Sequence, residues 1–110
     1  MESKLEFNEF QKLCAKTAVY PKEAALAYCV LGLTSEAGEV AGKMKKYIRG
    51  DYGYDDMMLS VRSELGDVLW YVAMIAKELG VPLEAIAKSV LVKLENRFEG
   101  GTIRGDGDNR

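Results

Sequence analysis

The chain has 110 residues, 48% of them apolar, and a formal net charge of −2 from 15 basic and 17 acidic side chains. That is enough sequence for one domain with a real core, and too apolar for a disordered chain. The near balance of charge argues against a nucleic-acid or membrane-surface partner. The absence of histidine excludes imidazole acid–base chemistry, Ser-His-Asp and Cys-His arrangements, and the usual zinc or copper sites.

The first predicted helix covers about 5–18, with apolar positions at Leu5, Phe10, Leu13, Cys14 and Val19. Tyr20-Pro21 breaks it, because the residue before a proline is disfavoured in α. A longer helix is expected over about 22–49, its apolar stripe running through Leu26, Cys29, Val30, Leu33, Ala37, Val40, Met44 and Ile48. Gly32, Gly38 and Gly42 lie inside it. Each glycine costs a helix about 1 kcal/mol against alanine, so close approach of another helix or a ligand is the expected reason.

Residues 50–56 read as a loop, with Asp55 or Asp56 as the N-cap of a third helix over about 57–79. That helix is apolar in consecutive positions from Val68 to Ala76, which predicts burial all round and a partner subunit covering part of it. Gly80 suits the position after its end, and Val81-Pro82 opens a fourth helix over about 82–98. These segments predict an all-α, four-helix-bundle-like domain over 1–98. A tail over 99–110 carries four glycines.

No apolar h-region occurs in MESKLEFNEF, and no run approaches the length of a bilayer span. Cys14 and Cys29 read as small buried hydrophobes in a reducing compartment, so the chain is expected to be cytoplasmic. Met44, Met57, Met58 and Met74 read as core fillers, and Tyr47, Tyr52 and Tyr54 as anchors of the loop.

Two pairs of acids stand out: Glu36 and Glu39 in SEAGEV, and Glu64 and Asp67 in SELGDV. The i, i+3 spacing puts each pair on one side of a helix. On spacing alone such a pair reads as a solvated face, with Glu39–Lys43 as an i, i+4 ion pair. Apolar flanks and the small residues Ala37, Gly38, Ala41 and Gly42 favour a different reading. If the two helices pack face to face, four carboxylates converge, and they would repel and take up protons unless a hard divalent cation held them together. Two such ions about 3.5–4 Å apart would orient a water and bridge phosphate oxygens. Lys43, Lys46, Arg62, Lys93 and Arg97 are near enough in sequence to meet phosphate.

GLTSEAGEVAGKMKK followed by ELGDVLWYVAMIAKELG resembles the MazG-like all-α nucleoside triphosphate pyrophosphohydrolases. The likeness extends to Phe10-Gln11, to Thr17 through Pro21, to Lys93, Leu94 and Arg97, and to the closing GTIRGDGDNR. It implies Mg²⁺-dependent cleavage of a (d)NTP between its α and β phosphates, with Mn²⁺ as a substitute. It also implies self-association as a dimer or tetramer. Carried over by position, Glu36, Glu39, Glu64 and Asp67 match the metal ligands, with Glu36 or Glu39 also activating water. Lys43, Lys46, Lys93 and Arg97 match phosphate contacts. Val90 departs from the family pattern, where many members carry an asparagine that can contact the nucleotide; Asn96 or the tail would then do that work.

Trp70 has two readings: packing in the core or a dimer interface, or stacking on a base. The Tyr71 hydroxyl is one turn from Asp67 and within reach of the acids. The tail, with Arg104 and Arg110, is either a solvated terminus or a lid over substrate. The rival to the enzyme reading is a non-catalytic helical interaction module with an acidic cation-binding face.

Overall fold

The structure, a computed structural model, describes residues 4–108. Its elements are helix α1 (Phe7–Ala15), a short 3₁₀ turn (Lys22–Ala24), and helices α2 (Ala25–Ile48), α3 (Tyr54–Glu78) and α4 (Leu83–Glu99). No strand occurs among the described residues. Arg110 of the tail lies outside them.

The all-α expectation holds; several boundaries move. Helix α1 ends at Ala15, well before Pro21, and Val19 is 92% exposed rather than part of an apolar stripe. The Cys14 and Ala15 carbonyls already close turns with Thr17 and Ala18, so the chain leaves the helix early. Helix α3 starts at Tyr54 with Gly53 as its N-cap, which places Asp55 and Asp56 inside the first turn. They are therefore not caps; their charges favour the positive end of the helix dipole instead.

Helices α2 and α3 pack along their lengths as a hairpin joined by residues 49–53. Tyr52 fastens that loop by donating its hydroxyl to the Lys43 carbonyl at 2.7 Å, and Tyr47 meets Tyr54 edge to face. The core lies toward the other end. Cys14, Cys29, Ala73, Met74, Ala76 and Leu83 form it, with Phe10, Tyr20, Trp70 and Tyr71 packed around them. Both cysteines are free thiols and buried, as expected, and burial pushes both thiols up in pKa. Met57 and Met74 are core side chains. Met44 and Met58 are not; they are 39% and 38% exposed.

Helix α3 ends in paired hydrogen bonds, Gly80 N–H to the Lys77 carbonyl and Val81 N–H to the Ala76 carbonyl. Helix α1 then supplies the caps for α4. The Gln11 side-chain oxygen accepts the Leu83 N–H at 3.1 Å, and the Asn8 oxygen accepts the Glu84 N–H at 3.0 Å. The Gln11 amide also donates to the carbonyls of Val81 and Ala73. One glutamine thus ties three helices, and it satisfies one of the amides that a helix start leaves without partners.

Beyond Leu83 and Arg97, α4 is poorly covered. Leu91 is 63% exposed and Phe98 77%. The radius of gyration is 16.9 Å, against about 13 Å for a compact chain of this length. The apolar run of α3 is covered in part: Ala73, Met74 and Ala76 are fully buried, whereas Leu69 is 43% exposed. Among the described residues no helix is long and apolar enough to cross a membrane.

Candidate active site

The hairpin sets the acids facing one another across the α2–α3 seam. Glu36 on α2 and Glu64 and Asp67 on α3 each offer a carboxylate oxygen, and these oxygens all lie within 4.8 Å of one another. Glu36 and Glu64 are half-buried; Asp67 is exposed. Burial raises the Glu36 carboxyl above its ordinary value. Glu64, as a hydrogen-bond partner of the protonated form, and the charges of Asp67, Glu64 and Glu39 push it the same way. Desolvation first, and the neighbouring acids after it, thus act on Glu36 in the same direction.

Glu39 is exposed and stands outside this close cluster. A helix turns about 100° per residue, so i and i+3 differ by about 60° around the axis. Glu36 points into the seam and Glu39 toward its edge. Among the described residues no ion pair joins Glu39 to Lys43.

A cavity of about 320 Å³ opens beside the acids, lined by Glu36, Asp67, Trp70 and Tyr71. Larger cavities exist, one of about 460 Å³ beside Gln11 and Pro82 and one of about 500 Å³ beside Tyr20 and Glu78. A third, of about 350 Å³, has Glu6 and Glu84 in its lining; none of the three contains the close group of three carboxylates, so chemistry rather than size singles out the smallest.

The aromatic wall is held from several sides. Trp70 and Tyr71 meet edge to face with ring centroids 4.9 Å apart. The Trp70 indole donates to the Thr17 hydroxyl at 2.9 Å, and Tyr20 meets the indole edge to face. Trp70 packs against the core, the first of its two readings, and the same ring also lines the cavity. Tyr71 lies flat on Gly32, where a β-carbon would sit 2.2 Å from its ring. Close approach explains this glycine. Nothing in the chain approaches Gly38 or Gly42 in that way, so the same expectation fails for those two within one chain. Burial and the Tyr28 hydroxyl push the Tyr71 phenol up, with Glu36 a smaller cause. Tyr71 stays neutral at physiological pH and can donate. Sequence reasoning missed Tyr28. The signal was its spacing, since positions 28, 32 and 36 repeat every four residues and share one face of α2.

The basic candidates do not line this cavity. Lys43 is half-buried, Lys46 and Arg62 are exposed, and Arg104 is exposed in the tail. Lys93 and Arg97 on α4 face the tail, where Asp108 takes their charge. Val90 is 44% exposed on the same helix.

The donor set fits a hard divalent cation. It is all oxygen, with no competing imidazole, and the buried thiols lie in the core. Oxygens on one octahedral Mg²⁺ lie about 3–4.2 Å apart, so a slight closure of the three carboxylates would suffice.

Residues 26–101 match the MazG nucleotide pyrophosphohydrolase domain. The chain is similar to the Gene 37 protein of Mycobacterium phage L5, with 39% identity over 109 residues, covering 92% of this chain and 96% of that protein. No solved structure matches it. Helical architecture, clustered acids and a matched span that contains them agree, and the chain belongs to the MazG nucleotide pyrophosphohydrolase family.

Proposed function

We propose that the chain is a Mg²⁺-dependent hydrolase that cleaves a nucleoside or deoxynucleoside triphosphate between its α and β phosphates. The products are the monophosphate and pyrophosphate. One observation carries this reading: Glu36, Glu64 and Asp67 converge inside the family-matched span, beside a cavity walled by Trp70 and Tyr71.

Glu36, Glu39, Glu64 and Asp67 are the proposed ligands, Glu39 completing the set from the edge of the seam. When bound, the cation supplies Lewis-acid stabilisation of phosphate charge and lowers the pKa of water. Glu36 and Glu39 are the candidate acceptors of the water proton. Glu36, which lies in the close cluster of acids, is the better placed of the two. The Tyr71 hydroxyl is a neutral donor at the cavity wall, and the Trp70 face offers stacking surface to a base. In the reaction a water oxygen bonds to phosphorus, the linkage between the α and β phosphates breaks, and pyrophosphate leaves.

Lys43, Lys46, Lys93, Arg97 and Arg104 are the proposed phosphate contacts. Since none lines the cavity of a single chain, the complete site takes some of them from a second copy. The exposed apolar side chains of α2 and α4, among them Leu31, Ile48, Leu91 and Phe98, support self-association as a dimer or tetramer. Trp70 and Tyr71 are the proposed base contacts.

The test is a product assay with each common NTP and dNTP, with and without Mg²⁺, beside a Glu64→Gln control. Metal-dependent monophosphate and pyrophosphate, lost in the variant, is the expected result. Diphosphate plus phosphate would move cleavage to the β–γ bond and overturn the proposal. Failure to turn over any nucleotide, with no Mg²⁺ effect on melting, would favour a helical interaction module.

A further inference from the structure

Arg97 is the one buried charged side chain among the described residues. A guanidinium cannot shed its charge, so burying it requires an anion nearby. The chain's own tail provides one. Arg97 Nη2 donates to the Asp108 carboxylate at 3.0 Å and more weakly to the Gly107 carbonyl at 3.5 Å. Lys93, one turn earlier on the same face of α4, places its Nζ 3.3 Å from the same carboxylate oxygen. Two cations from one helix face thus converge on a single oxygen.

The tail reaches this position by a definite path. Helix α4 ends at Glu99, and Gly101 takes a left-handed φ of +70° that a side chain would resist. The Gly101 and Thr102 amides donate to the carbonyls of Phe98 and Arg97, reversing the chain. A further turn, Gly105 N–H to the Thr102 carbonyl at 3.0 Å, brings residues 105–108 beside the helix. The grip at the end of this path is light. Asp108 is 78% and Lys93 46% exposed, and exposed ion pairs are individually weak.

An anion site that already contains an anion is the chemical content of this arrangement. The two donors that hold one carboxylate oxygen would equally hold a phosphate oxygen. We infer that the tail is a tethered competitor: Asp108 closes the Lys93–Arg97 site in the free chain, and a phosphate-bearing ligand must displace it to reach those cations. The inference rests on the nucleotide reading above for the identity of the ligand, but not on hydrolysis. A tether this short presents its carboxylate at an effective concentration in the millimolar range. A polyphosphate, with several charges against one, outcompetes it. Arg97 first and Lys93 second hold the Asp108 carboxyl below its ordinary value, so the competitor stays charged across the working pH range.

The test uses inorganic pyrophosphate as probe, without divalent cation, titrated calorimetrically into the full chain and into Asp108→Asn. Asparagine keeps an acceptor for Arg97 while removing the charge. If the latch is closed in about nine chains of ten, its loss tightens binding by about tenfold. Unchanged or weaker affinity in the variant overturns the inference, as does failure of both forms to bind. A second readout uses the unaltered chain. The amide resonances of Gly107 and Asp108 should move in step with pyrophosphate saturation, and static tail resonances in the presence of bound probe would count against displacement. Tightening in Asp108→Asn of a chain that hydrolyses no nucleotide would keep the latch and remove the hydrolase. Hydrolysis with unchanged pyrophosphate affinity would do the reverse.

Discussion

Replacing Gly32 by alanine tests the packing that shapes the cavity. On helix propensity alone, the change should stabilise α2 by about 1 kcal/mol. The structure predicts the opposite sign. The added methyl would stand 2.2 Å from Tyr71 Cε1, 2.4 Å from Cζ and 2.7 Å from Cδ1, whereas ordinary contact begins near 3.4 Å. The ring must therefore retreat by more than an ångström. It has little room, because Trp70 stands edge on to it at 4.9 Å. Overpacking of this kind costs about 1–3 kcal/mol; with contact this severe the upper half of the range applies, leaving a net loss of about 1–2 kcal/mol. That corresponds to a fall of roughly 5–10 °C in melting temperature for a domain of this size. Thermal and urea melts of Gly32→Ala, Tyr71→Ala and the double variant measure it. In the Tyr71→Ala background the clash is gone, and Gly32→Ala should then stabilise by about 1 kcal/mol, giving a coupling of about 2–3 kcal/mol. A Gly32→Ala chain that melts higher than the unaltered one would refute the packing, and with it the place of Tyr71 on the cavity wall.

Gln11→Ala removes three hydrogen bonds, among them one of the two caps of α4; the expected loss is about 2–3 kcal/mol, read from denaturant midpoints. Glu36 carries a pH signature of the less usual sign. Its folded carboxyl is raised, so the native state holds a proton that the unfolded chain has already released. Its contribution to stability therefore falls as pH rises from the ordinary carboxylate range through the raised value. In the presence of a chelator, the difference in melting between the unaltered chain and Glu36→Gln should grow over that window; a difference independent of pH would contradict the crowding of acids. Mg²⁺ should reverse the effect: at a hundredfold excess over its Kd, stabilisation of about 2.7 kcal/mol is expected. Glu64→Gln should blunt it, and calorimetric melts across a Mg²⁺ series would report both.

The helices were legible in the sequence because their apolar residues recur every three or four positions, from Leu26 to Ile48 and again along α3. The ends were less so. Nothing local marks Ala15 as the last residue of α1, and Gly53 rather than an aspartate caps α3. At the acid site, the i, i+3 pairs identify all four carboxylates, yet only three converge closely. Spacing places two residues on one side of a helix but does not fix where that side faces: Glu64 and Asp67 both meet Glu36, while Glu39, at the same spacing, does not. The fate of Lys93 and Arg97 was hidden for another reason: their partner, Asp108, arrives through turns at glycines, and such turns follow no period. Tyr28 behind Tyr71 went unread, although its spacing to Gly32 and Glu36 puts it on their face of α2.

The capping of α4 by α1 has a consequence for how the chain is made. The amides of Leu83 and Glu84 wait for acceptors on Gln11 and Asn8, 72 and 76 residues away in sequence. During synthesis α1 emerges before the other helices, and its capping oxygens on Gln11 and Asn8 meet no donor until α4 has begun. Loop closure over such a span is slow relative to zipping the α2–α3 hairpin. The hairpin, with its acid seam, should therefore assemble early, and the union of the chain's two ends should be the last event. A ribosome-stalled fragment ending before Leu83 would have the acids in place and α1 able to pack on α3, with the capping oxygens of Gln11 and Asn8 still without their donors.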